Sequence, residues 1–298
     1  MLEAFNKKLK IYFCLLFLLL SYVQSKEQSF ANFDLNKTII ASSFDEGTNK
    51  ILLYDKNKNL IFFNLNNLSV ELLHHYSDDL IASFDYYDGK IYSIFANGDL
   101  VIFDDKFNLI SKQTILSFTK NIDKIYFNKD KIFIIYDYKN ILIYDIVTNS
   151  KKVIQNRQKI NSISFSKNTF CMIGWNKKVE CGEEQNAHLD VQKILTSLFY
   201  CNKKDKFITG DIDGNIYIVG ENKQLHAPIL NEIKHISCDK NKIYISDNRE
   251  IYVFKDDNFS LFDTEDNGIL DMFVDKNNKL ILINQNGSIK IYNQLNIK

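Results

Sequence analysis

One short phrase recurs along the 298-residue chain and limits its possible folds more than any other feature. Each copy begins at a polar turn residue, continues through apolar residues, and in most cases reaches an aromatic residue at or near its end. The clear copies span residues 59–64, 98–104, 140–145, 214–219, 249–254 and 287–292, and a degenerate copy at 177–181 fills the one gap. Successive copies lie about 35 to 41 residues apart, a period typical of an array of repeated structural units.

Each copy follows another apolar segment, and a short polar turn separates the two. Asn97-Gly98, Asp213-Gly214 and Asn286-Gly287 occupy three of these turns. Such dipeptides are a strong signal of a β-hairpin, because both central residues can adopt positive φ. A strand before each hairpin and a more variable strand after it give four strands per period. A single sheet of this kind cannot bury both faces, so we predict an all-β, seven-bladed β-propeller.

The ends of the chain predict how such a ring would close. Counted from Thr38, the blades begin near residues 38, 80, 122, 160, 195, 234 and 269, and the last supplies only three strands. The segment from Phe30 to Leu35 is the candidate for its missing outer strand. An N-terminal strand in that place protects the sheet edge. Deletion of residues 26–37 is therefore expected to destabilise the whole domain.

The third strands carry a family resemblance. Phe103-Asp104 and Tyr144-Asp145 stand where WD-repeat propellers place a Trp-Asp pair, so the chain resembles that family at the level of architecture. The family's Gly-His dipeptide is absent from every blade. The resemblance implies a scaffold for protein–protein interactions, since propellers of this type mostly serve that role.

The N-terminus has the pattern of a secretory signal peptide. Lys7, Lys8 and Lys10 precede an apolar run from Ile11 to Leu20, and cleavage is predicted before Lys26. This gives a signal peptide at 1–25 and one propeller domain at 26–298. An uncleaved membrane anchor is the alternative, although the run is shorter than the roughly 20 residues that span a bilayer as a helix. We expect no membrane span after cleavage and a location in the secretory pathway, either extracellular or in a vesicular lumen.

Four cysteines remain after cleavage of the signal peptide: Cys171, Cys181, Cys201 and Cys238. An even number in an oxidising compartment predicts two disulfides, with three possible connectivities. Cys171 and Cys181 are equidistant from Asn176 and can face each other across one hairpin. Cys201 and Cys238 end the innermost strands of neighbouring blades and can join them. The alternative is that one or both pairs remain reduced.

The charges and motifs give no sign of nucleic-acid binding or catalysis. Lys and Arg number 37, as do Asp and Glu, so no global field attracts nucleic acid. Asp211 to Asn215 suggests a calcium loop but fits a hairpin turn better, and the adjacent His74 and His75 should point to opposite faces. We predict that the protein is not an enzyme and that it has no cofactor and no metal site.

Acidic residues on or beside the inner strands leave one catalytic alternative open. Asp85, Asp123 and Asp271 could converge on the central channel and make the protein a secreted propeller enzyme or carbohydrate binder. A water-filled channel lined by polar side chains is the preferred interpretation.

The fourth blade is the most irregular, and its turns supply the candidate binding residues. Its third strand is expected to carry Glu180, Glu183 and Glu184. The only tryptophan of the chain follows its second strand, where it is either an exposed binding anchor beside a disulfide or a buried structural residue. The candidates for an interaction surface are Trp175, Asn176, Lys177, Tyr138 and Arg249. They predict a protein partner, bound transiently by a scaffold or permanently in a larger complex.

Overall fold

The computed structural model describes residues 31–75, 81–117, 120–128, 130–221, 224–229 and 231–293. These residues form seven four-stranded antiparallel sheets arranged as a seven-bladed propeller, so the predicted fold class is confirmed. The predicted signal peptide lies outside the described residues. Within the described ranges, no helix is long and apolar enough to cross a membrane.

The chain enters the sheets with β1 (Ala31–Asp34) and then builds the blades in order, each from its innermost to its outermost strand. Blade one contains β2 (Ile39–Asp45), β3 (Lys50–Asp55), β4 (Asn59–Asn64) and β5 (Ser69–His75). Blade two contains β6 (Ile81–Tyr87), β7 (Lys90–Phe95), β8 (Asp99–Asp104) and β9 (Leu109–Thr114). Blade three contains β10 (Ile122–Asn128), β11 (Lys131–Tyr136), β12 (Asn140–Asp145) and β13 (Lys151–Gln155). Blade four contains β14 (Ile160–Phe165), β15 (Phe170–Gly174), β16 (Lys178–Cys181) and β17 (Asn186–Asp190).

The remaining blades follow the same plan. Blade five contains β18 (Leu195–Cys201), β19 (Lys206–Asp211), β20 (Asn215–Ile218) and β21 (Gln224–His226). Blade six contains β22 (His235–Cys238), β23 (Ile243–Ser246), β24 (Glu250–Lys255) and β25 (Asn258–Thr264). Blade seven contains β26 (Ile269–Val274), β27 (Leu280–Asn284) and β28 (Ser288–Tyr292), and β1 is its outermost strand.

The two middle strands of a blade are buried on both faces, because a neighbouring blade covers each face. Every residue of β4 is buried, whereas every residue of β9, an outermost strand, is exposed. The middle strands can therefore be rich in Ile, Leu and Phe without strict polar alternation. Within the described ranges, the buried apolar residues form seven clusters, each shared by two adjacent blades, and this packing holds the ring together.

The N-terminal strand closes the ring as predicted. β1 pairs with β28 in antiparallel register, with Phe33 opposite Ile289. The Phe33 ring lies 5.2 Å from that of Phe63 in blade one, centroid to centroid. A Cβ atom at Gly287 would lie 2.4 Å from the carbonyl oxygen of Lys37, so glycine allows the chain leaving β1 to pass close to blade seven. Blades seven and one thus share one core without a gap.

Aspartate side chains fix many of the turns. In the turn after β3, Asp55 Oδ1 accepts the backbone N–H groups of Asn57 and Asn59, both at 2.8 Å. Asp211 repeats this arrangement after β19, with both N–H groups at 2.9 Å. The segment from Asp211 to Asn215 is therefore a hairpin turn, because its first carboxylate is already bound within the turn. Such side-chain acceptors let the chain make its turns with a single proline.

Both cysteine pairs are disulfide-bonded. Cys171 and Cys181 lie directly opposite each other in β15 and β16, with a Cα–Cα distance of 4.0 Å. Cys201 and Cys238 end β18 and β22, and their Cα atoms are 5.9 Å apart. The second bond therefore joins blades five and six.

One expectation for blade four is wrong. Of its three glutamates, only Glu180 lies in the third strand, since β16 ends at Cys181. Glu183 and Glu184 occupy the turn that follows. Gly182, with φ of 73°, ends the strand because it turns the backbone out of the extended conformation.

Candidate interaction face

One end of the propeller carries two kinds of loop. In each antiparallel blade the turn between the second and third strands lies at the same end as the connection to the next blade. We call this end the upper face and these loops the upper turns and the blade connections. Backbone hydrogen bonds join them: Ile160 N–H donates to Tyr138 O at 2.8 Å, and Trp175 N–H to Lys159 O at 3.0 Å.

The five residues predicted for an interaction surface all lie in upper turns. Tyr138 and Trp175 are 52% and 54% exposed, so Trp175 is not the buried structural residue that one alternative predicted. It does not lie beside the disulfide, because Cys171 and Cys181 stand at the opposite end of the hairpin. Asn176 caps its turn by accepting the N–H of Lys178 at 3.3 Å. Lys177 is exposed in the same turn.

Tyr138 and Trp175 stand at a cleft on the upper face that spans blades three to five. The cleft has a volume of about 530 Å³. A third exposed apolar side chain, Ile212 of the next upper turn, also lines it and is 44% exposed. Arg249 lines a neighbouring cleft, which shares Ile212 and Glu232 with the first. All five predicted residues therefore belong to one face, but only Tyr138, Trp175 and Arg249 line its two adjoining clefts.

β-Bulges supply the inner wall of this cleft. In β10, β14 and β18 the pairing with the second strand shifts at the second residue, which is Asp123, Asn161 or Thr196. The same shift occurs in β2, β6 and β26. A bulge leaves its extra residue outside the ladder and re-aims its side chain. These three side chains line the cleft, and sequence reasoning did not find the set because a bulge of this kind has no marker residue.

A lysine side chain organises the aromatic part of the cleft. Lys159 Nζ lies 5.5 Å from the centroid of the Tyr138 ring and 5.7 Å from that of Trp175, so one ammonium group contacts both π-systems. Asp123 accepts the N–H of Tyr138 at 2.8 Å. Burial raises the pKa of the Asp123 carboxyl, although this hydrogen bond and the charge of Lys159 oppose the shift.

The comparison with solved structures agrees with this architecture. A WD-repeat propeller in the crystal structure of the mitotic checkpoint complex superposes with a TM-score of 0.74. The alignment covers 90% of this chain and 92% of that chain at 10% sequence identity, and such a likeness shows the fold alone. The chain is a seven-bladed β-propeller, and its architecture is similar to that of WD-repeat propellers. No family model and no curated protein matches the sequence.

The carboxylates of the propeller's channel serve blade contacts. Asp85 accepts Ser43 Oγ–H of blade one at 2.6 Å and the Phe127 N–H of blade three at 2.8 Å, and so links three blades. Burial raises the pKa of Asp85 to about 6. Asp271 accepts Ser42 Oγ–H at 2.8 Å.

A basic residue of the channel wall lies next to one of these carboxylates. His235 Nδ1 is 4.0 Å from Asp271 Oδ1. Burial lowers the pKa of His235, while the charge of Asp271 opposes the shift. Among the residues whose placement is described, no group of three or more His, Cys, Asp or Glu side chains could hold a metal ion.

The outer histidines of the propeller make structural contacts. The His74 ring stacks on Phe107 with a centroid distance of 4.8 Å. His75 Nδ1 lies 3.1 Å from Asn59 Oδ1, and His226 Nδ1 lies 2.9 Å from Asn215 Oδ1. Both of these asparagines also donate to the turn aspartates of their blades. The contacts tie outermost strands to upper turns.

Proposed function

We propose that this propeller is a protein-interaction scaffold of the secretory pathway, and that its partner docks on the upper face of blades three to five. The observation that carries the proposal is the group of exposed apolar side chains, Tyr138, Trp175 and Ile212, on three successive upper turns. Tyrosine and tryptophan are enriched among the residues that contribute most to protein–protein affinity. An aromatic rim around a cleft suits a side chain inserted by a partner.

The fold supports a scaffold by analogy. The WD-repeat propeller with which this chain superposes belongs to a multiprotein assembly, the mitotic checkpoint complex. Propellers present loops from every blade on one face. The analogy concerns the kind of function, and the site itself comes from the residues of this chain.

The two disulfides support the proposed compartment. Disulfides of this kind persist in oxidising environments and are rare in the cytosol. Together with the signal peptide predicted at 1–25, they favour a mature protein that begins at Lys26 in the secretory lumen or outside the cell. N-terminal sequencing and non-reducing peptide mapping of the native protein test this point. A retained N-terminus together with four free thiols would contradict it.

Affinity purification of the full-length protein from its native cells tests the docking face. Proteins recovered with the wild type are quantified beside those recovered with Trp175→Ala and Leu261→Ala. Leu261 is also 54% exposed but lies on β25, the outermost strand of blade six, so it is a matched control. We expect Trp175→Ala to lower recovery of the partner about tenfold or more, because anchor residues of interfaces typically contribute about 2 kcal/mol. Equal recovery with both variants would refute docking at this face.

A further inference from the structure

We propose that the segment bound at the upper face is an acidic peptide stretch of the partner, held by a basic and aromatic patch on blades three and four. The inference rests on the proposed function and adds the chemistry of the partner. The patch comprises the upper turns 137–139 and 175–177, the blade connection 156–159 that runs between them, and the adjoining Lys124 of β10.

Backbone hydrogen bonds hold these three loops together as one surface. The Asn156 N–H donates to Lys139 O at 2.9 Å at one end of the connection, and the Trp175 N–H donates to Lys159 O at 3.0 Å at the other. Gly174 makes this close approach possible, because a Cβ atom there would lie 2.1 Å from the carbonyl oxygen of Lys159. The side chains of the three loops are therefore displayed on a fixed frame.

The charge of this frame is mostly positive, since its one acid, Asp137, is paired with Lys120. Its exposed cations are Lys124, Lys139, Arg157, Lys159 and Lys177, and none of the five forms an ion pair with any residue that the structure describes. Other lysines close to the patch are paired: Lys120 with Asp137, Lys178 with Asp190 and Lys193 with Asp213. The whole chain is neutral, with 37 charges of each sign, so the surplus is a local property of the patch. A surface that keeps cations unpaired is complementary to an anionic partner.

The aromatic residues and the nearby acids favour a peptide over a nucleic acid. The Lys159 ammonium already occupies one face of each of the Tyr138 and Trp175 rings, which leaves fewer ring faces on which bases could stack. Asp123 and Glu232 also line the cleft, so a continuous phosphate backbone across it would meet their charge, whereas a peptide can turn an uncharged side chain toward them. A peptide can place its carboxylates on the cations and an apolar side chain between Trp175 and Ile212.

The test uses the purified, disulfide-bonded mature protein and fluorescence anisotropy. The probe is a fluorescein-labelled peptide in which Glu and Asp alternate with Leu and Phe. The comparison ligands are the same peptide with Lys at every acidic position, a labelled oligothymidylate, and phosphatidylcholine vesicles that contain phosphatidylserine. Each titration is repeated at about 50 and about 200 mM salt, since screening weakens contacts between exposed charges.

Two double variants separate the patch from the total charge. Arg157→Glu with Lys177→Glu reverses two charges of the patch. Lys240→Glu with Lys276→Glu makes the same change in net charge on exposed first-to-second-strand turns, at the opposite end of blades six and seven. We expect the patch variant to weaken binding of the acidic peptide about tenfold and the control variant to leave it within about twofold.

The proposal is supported if the protein prefers the acidic peptide and if salt weakens that binding. The patch variant must also weaken it while the control variant does not. Tighter binding of the oligonucleotide or of the vesicles overturns it, as does an equal loss in both double variants. If the acidic peptide fails while Trp175→Ala still releases the native partner, the inferred chemistry is wrong and the scaffold function stands. If the acidic peptide does not bind and Trp175→Ala does not release the native partner, both proposals fail.

Discussion

Ring closure by the first strand gives the sharpest test of the architecture, and Phe33→Ala is the perturbation. The Phe33 ring packs at 5.2 Å from the buried Phe63 ring, within the core that blades seven and one share. Truncation of a fully buried Phe costs about 3–5 kcal/mol. Because Phe33 is only half-buried, we expect a loss of about 2 kcal/mol in the free energy of unfolding.

Urea unfolding followed by far-UV circular dichroism, with the disulfides intact, measures this loss. Asn32→Ala is the matched control, because Asn32 lies in the same strand but is exposed, and it should change stability by less than about 0.5 kcal/mol. In a domain of this size, the Phe33 variant should also melt roughly 4–8 °C lower. Deletion of residues 26–37 should cost more than the substitution, since it also unpairs β28. Indistinguishable stabilities of the Phe33 and Asn32 variants would refute closure by β1.

Three further predictions follow from the disulfides, the channel and the upper face. Replacing Cys201 and Cys238 by Ser should lower the free energy of unfolding by roughly 4 kcal/mol, and replacing Cys171 and Cys181 by roughly 3 kcal/mol. The first loss is larger because that disulfide closes a loop of 37 residues and the other a loop of only 10. Equal losses in urea unfolding would contradict this chain-entropy account. The pKa of Asp85, raised to about 6, means that the folded state holds a proton which the unfolded chain has already released. The free energy of unfolding of the wild type, relative to that of Asp85→Asn, should therefore fall as the pH rises from about 4 to about 7 and stay constant above that range. If this difference does not change with pH, Asp85 has no raised pKa. Gly174→Ala should push the connection that contains Lys159 away from blade four. Partner binding should therefore weaken even at a temperature where the variant remains folded, and unchanged affinity would count against the fixed frame.

Prediction from the sequence worked best where the signal was local and repeated. The hairpin phrases, the strands before them and the Asn-Gly and Asp-Gly turns all became blades at the predicted places. The spacing of Cys171 and Cys181 around Asn176 placed them on opposite strands of one hairpin, where they are bonded. It failed at Glu183 and Glu184, since the apolar pattern of blade four is too weak to mark where β16 ends.

The candidate site was predicted only in part. Tyr138 and Trp175 were predicted from the sequence of the upper turns, because an aromatic residue in a polar turn is easily recognised. Ile212 went unnoticed, since an isoleucine beside a strand is usually core, and here it is 44% exposed. Asp123 was considered for the channel, but its place in the wall of the cleft follows from a bulge that the sequence does not mark.

The amino-acid sequence by itself determined the number of blades, the strands within each and the strand that closes the ring. These depend on the alternation of turn and apolar residues, which a chain carries along its own length. Only the tertiary structure decided which side chains of different blades meet at the upper face and which cations there remain unpaired. Those contacts arise when blades stack on their buried faces, so they depend on distances across the ring and not on separation along the chain.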